Sequence, residues 1–187
     1  MDKSPTRVIA FDVRPQRLGY VIFEEPMRLV DWGVSRSRDS IRNGIRLMRL
    51  VEHSQPSVVV LRSLEKGGYR NRPLLRLLMR RISRRIHSAA ISTVCIPGAA
   101  IKSVFRKYVT PTKENTARVI AARFPELAWQ LPPHRRPWQP EHWRMPLFDA
   151  AALGIAYFAL EVDQEGVEEM MRQRRSPFAG PLGSVAK

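Results

Sequence analysis

The chain has 187 residues, 44% hydrophobic and 26% charged, which suits one compact domain with a substantial core. It has no apolar run of 18 residues, which excludes a transmembrane helix, and its one cysteine, Cys95, excludes an intrachain disulfide framework or a multi-cysteine zinc site. Lys and Arg number 32 against 17 Asp and Glu, a net charge of +15, and 26 of those cations are Arg, the better fork for phosphate oxygens, so nucleic acid is the first partner to consider.

Met1–Thr6 is polar and leads directly into a strand-like run, which is not the pattern of a signal peptide, so cytoplasmic residence is expected. Arg7–Val13 is short and rich in apolar and β-branched residues, as in a buried strand. Leu18–Phe23 and Arg28–Val34 follow at close spacing, and the three together predict an antiparallel meander.

Asp39–His53 has helical periodicity, with Ile41, Ile45, Met48 and Val51 as its apolar stripe, and Pro56 closes the stretch. Ser57–Leu61 carries Val-Val-Val-Leu, the pattern of a fully buried parallel strand. Beyond a polar loop with Gly67 and Gly68, Pro73 opens a second helical pattern. Its apolar stripe is Leu75, Leu78, Met79, Ile82, Ile86 and Ala89. Ser92–Ile96 is another short strand, ended by Pro97-Gly98. Short helices are predicted over Ala99–Tyr108 and Thr112–Phe124, the latter capped by Thr112.

Pro125–Met145 is rich in Pro, Trp and Arg and has no period, which suggests a functional loop. Phe148–Val162 is an Ala-rich apolar helix. Residues 1–163 are expected to form the domain, and residues 164–187 a helical extension with a disordered tail. The order βββ-α-β-α-β-α-α-loop-α predicts an α/β mixed sheet, a three-strand meander plus parallel strands, with helices on both faces.

Two carboxylates stand out. Asp12 ends the first strand, where unpaired charge is poorly tolerated. Asp149 opens an otherwise apolar helix, although an Asp there also has the plain role of complementing the helix dipole. A carboxylate on a central strand facing another on a packed helix can hold divalent ions for phosphodiester hydrolysis.

The element order, Asp12 and Phe-Asp-Ala-Ala-Ala-Leu at 148–153 resemble the RuvC-type Holliday-junction resolvases of the RNase H-like superfamily. Leu29–Val34, Arg123–Leu127 and Trp138–Leu153 resemble a bacterial branch of RuvC-like proteins, and the likeness covers roughly residues 6–162. It implies an RNase H-like fold and a metal-dependent endonuclease for branched or structured DNA, using Mg²⁺ or Mn²⁺ and working as a homodimer. Asp12 and Asp149 match the first-strand and last-helix aspartates. Glu141 lies where a further acidic or histidine ligand is found, with His142 as its rival. The family ends its fourth strand with an acidic residue, usually Glu; here that position is Arg62, with Glu65 three residues on. A guanidinium where a ligand belongs leaves a second reading open, a nucleic-acid-binding protein on the same fold that has lost catalysis.

Arg70–Arg85 holds seven Arg and no acidic residue, and such repulsion is relieved by a polyanion. Arg70, Arg72, Arg76, Arg80 and Arg84 are the candidate DNA contacts, joined by Lys113; an ordinary solvated helix face, or a surface for an acidic protein, is the plainer reading. Tyr69 could stack on a base. Trp129, Trp138 and Trp143 alternate with Arg135 and Arg136 and could do the same, although at least two are expected to pack the loop onto the domain. Cys95 is expected in the core, and His53 and His87 have no companions at metal spacing.

Overall fold

In the computed structural model, residues 7–14, 16–24, 28–37, 39–63 and 91–162 are described, with residues 77, 80, 82–84, 86, 87 and 166. The expectations for Glu65, Tyr69, Arg70, Arg72, Arg76 and most of the tail lie outside these residues.

Five strands form one sheet: β1 (Arg7–Arg14), β2 (Arg17–Glu24), β3 (Arg28–Arg36), β4 (Val58–Arg62) and β5 (Ser92–Ile96). Their spatial order is β3-β2-β1-β4-β5. The meander β1–β2–β3 is antiparallel, and β1, β4 and β5 run parallel. The mixed sheet expected from the sequence is therefore present.

Strand alternation divides the core in two. Val8 and Ala10 of β1 and Val58 and Val60 of β4 point to one face, which is covered by α2 (Gly98–Arg106), α3 (Lys113–Arg123), α4 (Pro125–Ala128) and α5 (Met145–Tyr157). Ile9, Phe11, Val59 and Leu61 point to the other, which is covered by α1 (Ser40–Ser54) and by Ile82 and Ile86, both helical. All 13 residues of α5 are buried, and its mostly apolar surface lies against β2 and β1 and against α3. A turn of π-helix, Phe158–Val162, follows it. Among the described residues no helix is long and apolar enough to cross a membrane.

Caps fix the helix ends. The Asp39 carboxylate accepts from the Ile41 amide at 2.8 Å, and Thr112 Oγ1 accepts from Asn115 at 3.1 Å. Gln55 closes α1 in the left-handed region at φ 44°.

Three expectations are corrected. Ile41 and Ile45 are exposed; α1 instead buries Asn43, Gly44, Leu47 and Val51. The buried side of the helix is thus turned from the predicted stripe toward Asn43 and Gly44, with Leu47 and Val51 in the core. Cys95 is exposed: it lies on β5, the edge strand of the sheet, opposite Leu61 of β4. The loop after α3 begins with the short helix α4, started by Pro125, and α5 begins at Met145, one turn before the predicted start.

Candidate active site

The site lies at the C-terminal ends of β1 and β4. Asp12 and Arg14 continue the alternation of Val8 and Ala10, so both belong to the face under α5, and Arg62 continues that of Val58 and Val60. Across the β1–β2 ladder Asp12 pairs with Gly19. A side chain at Gly19 would run into the Pro146 backbone and lie 2.6 Å from the Leu147 nitrogen. The missing side chain lets the first turn of α5 descend onto the sheet, and Asp149 one turn later reaches the level of Asp12.

Asp12 and Asp149 are both buried, at 2% and 8% exposure. The Arg14 guanidinium bridges them: its Nε donates to Asp12 Oδ2 at 2.5 Å and its Nη2 to Asp149 Oδ2. Arg14 Nη1 donates to Glu141, which the loop before α5 brings to the same point. Lys113, the first residue of α3, donates to Glu141 Oε2 at 2.7 Å and to Asp149 Oδ2 at 3.1 Å. Arg62 stands on the other side, Nε 3.6 Å from Asp12 Oδ1 and Nη2 3.5 Å from Asp149 Oδ1. These are ion-pair distances rather than hydrogen bonds, and among the described residues the buried Arg62 Nε has no hydrogen-bond partner.

Three carboxylates and three cations thus meet at one point. Burial pushes the Asp149 carboxyl above the ordinary carboxylate range and the charge of Asp12 adds to this, against the pull of Lys113, Arg14 and Arg62. Burial alone would also raise Glu141, but hydrogen bonds from Lys113 and Arg14 hold it below its usual value. Burial opposes the charge on Arg14, yet Asp12, Asp149 and Glu141 raise its pKa further.

The structure brings Asp12, Asp149, Glu141 and Lys113 together. His142 accepts at Nδ1 from the Arg144 amide at 3.3 Å and lines the cavity beside Glu141. Arg14 is the residue that sequence reasoning missed. Its signal is the two-residue spacing from Asp12, which puts both on one sheet face. A cavity of about 220 Å³ opens beside the cluster, between Lys113 and Glu141 and the apolar Leu131, Pro132 and Met145.

The expectation that the tryptophans pack the loop onto the domain fails for two of the three. Trp129 and Trp138 are 66% and 74% exposed. Arginines lie over these rings: Arg136 is 5.6 Å from the Trp138 ring centre, and Arg144 is 6.0 Å from that of Trp129 and 5.0 Å from that of Trp143. Prolines at 132, 133, 137 and 140 stiffen this loop, so the rings need no hydrophobic seat to keep their place. Arg80 and Arg84 are exposed and helical.

No family model and no curated protein sequence matches this chain. Solved structures do. RuvC of Thermus thermophilus, in complex with a Holliday junction substrate, is 16% identical at a TM-score of 0.55, over 84% of this chain and 97% of that one. The yeast mitochondrial Holliday junction resolvase Ydc2 is 12% identical at 0.57, over 91% and 82%. The fowlpox virus resolvase, in complex with Holliday junction DNA, is 11% identical at 0.53, over 84% and 100%. The fold is therefore the RNase H-like fold of the RuvC-type resolvases.

Proposed function

We propose that this protein is an endonuclease for branched or structured DNA, with Asp12, Asp149 and Glu141 as the carboxylates of its hydrolytic centre. The observation that carries this is the convergence of two buried aspartates, from β1 and α5, under one guanidinium. A structural role alone gives little reason to bury two like charges together, since each raises the cost of ionising the other. The resolvases that share the fold act on Holliday junctions.

The donor set fits Mg²⁺ or Mn²⁺ in kind, because hard carboxylate oxygens are the ligands such ions take. Asp12, Asp149 and Glu141 would hold the metal, which would lower the pKa of a bound water and stabilise the leaving oxygen. The charge balance opposes it, because Arg14, Arg62 and Lys113 already face these carboxylates; among the described residues no group of three acidic, His or Cys side chains is open to a metal ion. The chain's own cations would hold and orient the scissile phosphate, while Arg80, Arg84 and the exposed Trp129 and Trp138 track the backbone and unpaired bases. A homodimer would offer two such centres to a four-way junction.

The contacts of Arg62 with both aspartates favour a second reading, binding without hydrolysis. One experiment separates the two. Four-way, flap and linear DNA, and their RNA counterparts, are incubated with the protein in Mg²⁺ or Mn²⁺, and binding is measured in parallel. Cleavage of branched DNA that is lost in Asp149→Asn, with binding retained, supports the nuclease. Salt-dependent binding without cleavage supports the second reading. Absence of both would leave the arginine face for an acidic protein partner.

A further inference from the structure

We propose that Arg14, Arg62 and Lys113 form a phosphodiester-binding triad that closes on Asp12, Asp149 and Glu141 in the free protein, so that a DNA phosphate and a divalent cation bind this centre cooperatively and each poorly alone. The inference rests on the nuclease reading and adds to it an account of when the centre can be loaded.

The charges lead to it. Asp12, Asp149 and Glu141 contribute three negative charges, and Arg14, Arg62 and Lys113 three positive ones, all within ion-pair reach. A divalent ion arriving alone would add two positive charges beside three cations whose partners it must take. A phosphate arriving alone would meet three carboxylates. Arriving together they nearly cancel, and each supplies new partners to the groups the other displaces: the metal to the carboxylates, the phosphate oxygens to the guanidinium and ammonium groups. Guanidinium hydrogen-bonds phosphate as well as it does carboxylate, so the exchange costs little in bonding.

The geometry assigns the order in which groups can move. Among the described residues Arg62 meets its carboxylates at 3.5–3.6 Å, and its buried Nε is an unused donor beside Asp12. A phosphate oxygen would give that donor a partner it lacks. Lys113 is the most exposed of the three, at 47% of its side chain, and four methylenes let it follow an incoming phosphate. Arg14 is the least exposed, at 18%, and is tied to all three carboxylates, so it stays as the pivot.

Linkage makes the test quantitative, because two ligands that help each other do so by the same factor. The binding of a fluorescent four-way junction to the full-length protein is measured in chelator and across Mn²⁺ concentrations at fixed ionic strength. Mn²⁺ binding to the protein is measured by spin resonance with and without the junction, subtracting Mn²⁺ taken up by the junction alone. The expected result is a junction affinity at least about tenfold higher with Mn²⁺, and a matching gain in Mn²⁺ affinity with junction. Arg62→Gln, which keeps the length of the side chain and removes its charge, is expected to tighten Mn²⁺ binding to the free protein and to shrink the coupling.

Junction binding that is indifferent to Mn²⁺ overturns the proposal and leaves the proposed function standing. Failure to bind the junction in either condition overturns both. Mn²⁺ binding by Arg62→Gln no tighter than by the parent removes Arg62 from the triad. The wild-type measurements decide the coupling even if the variant does not fold.

Discussion

The Arg62 guanidinium lies 3.6 Å from the Asp12 carboxylate on the neighbouring strand and 3.5 Å from that of Asp149 on α5. At about 4 Å and an effective dielectric near 20, one such pair is worth roughly 4 kcal/mol before desolvation. If only ~1 kcal/mol survives desolvation, affinity for a competing cation changes about fivefold. Arg62→Glu removes the competitor and adds a ligand, so Mn²⁺ affinity is expected to rise by one to several powers of ten in a calorimetric titration. Without metal the variant is expected to melt below the parent, because it places a further carboxylate beside Asp12, and Mn²⁺ is expected to restore the difference. Equal, tight Mn²⁺ binding by both proteins would take Arg62 out of the site.

Gly19 controls how deeply α5 sits. Gly19→Ala forces a methyl group against the Pro146–Leu147 backbone, which cannot rotate away as a side chain would. Overpacking of this kind costs about 1–3 kcal/mol, and a clash with backbone belongs at the upper end. The expected outcome is a clear loss in denaturant midpoint. In the fraction that folds, Asp149 lifts away from Asp12, so any cleavage activity is expected to fall by more than the loss of folded protein explains.

Arg80 and Arg84 are exposed on a helix that covers the sheet face opposite α5. If they neutralise phosphates, each releases about one counterion on binding. Arg80→Ala with Arg84→Ala is expected to flatten the slope of log affinity against log salt by about one to two units. Stability is expected to change little, because both side chains point to solvent. An unchanged slope would move the DNA path to the tryptophan loop.

Glu24 tests the sheet far from the site. It pairs with Arg7 across the β1–β2 ladder, where Arg7 Nε donates to its carboxylate at 2.9 Å, and Arg28 holds its other oxygen. The hydrogen bond from Arg7 keeps its carboxyl below the ordinary 4.5. A depressed folded value means the pair stabilises the fold fully above the unfolded value and loses that contribution as pH falls through the folded one. Glu24→Gln is expected to melt earlier at neutral pH, with the gap to the parent closing under acid conditions below 4.5. A gap that stays constant with pH would show that the charge on Glu24 contributes nothing.

Part of this site could be read from the amino acids, because the family resemblance sets Asp12 at the end of the first strand, Arg62 at the end of the fourth and Asp149 in the apolar last helix. That Asp12 and Arg62 share a sheet face follows only from the pairing of β1 with β4. Two-residue alternation places Arg14 beside Asp12, but an arginine at a strand end reads as solvated until α5 is known to cover it. Lys113 is harder. It lies 36 residues from Asp149 along the chain, and only the packing of α3 on α5 brings the two together. The stripe of α1 misleads only in part: Met48 and Val51 do turn to the core, but Ile41 and Ile45 face solvent and Asn43, Gly44 and Leu47 are buried in their place.

The burial of α5 on every side divides the centre mechanically. Asp149 belongs to a helix with no free flank, and Asp12 to the middle strand of the sheet, so neither can travel without disturbing the core. Glu141 hangs from a loop and Lys113 extends from the rim. One half of the centre is an anvil fixed by the folding of the protein, and the other half is a jaw. Whatever adjusts to an incoming strand must come from the jaw, and changes in sequence that retune the centre without unfolding it should fall there.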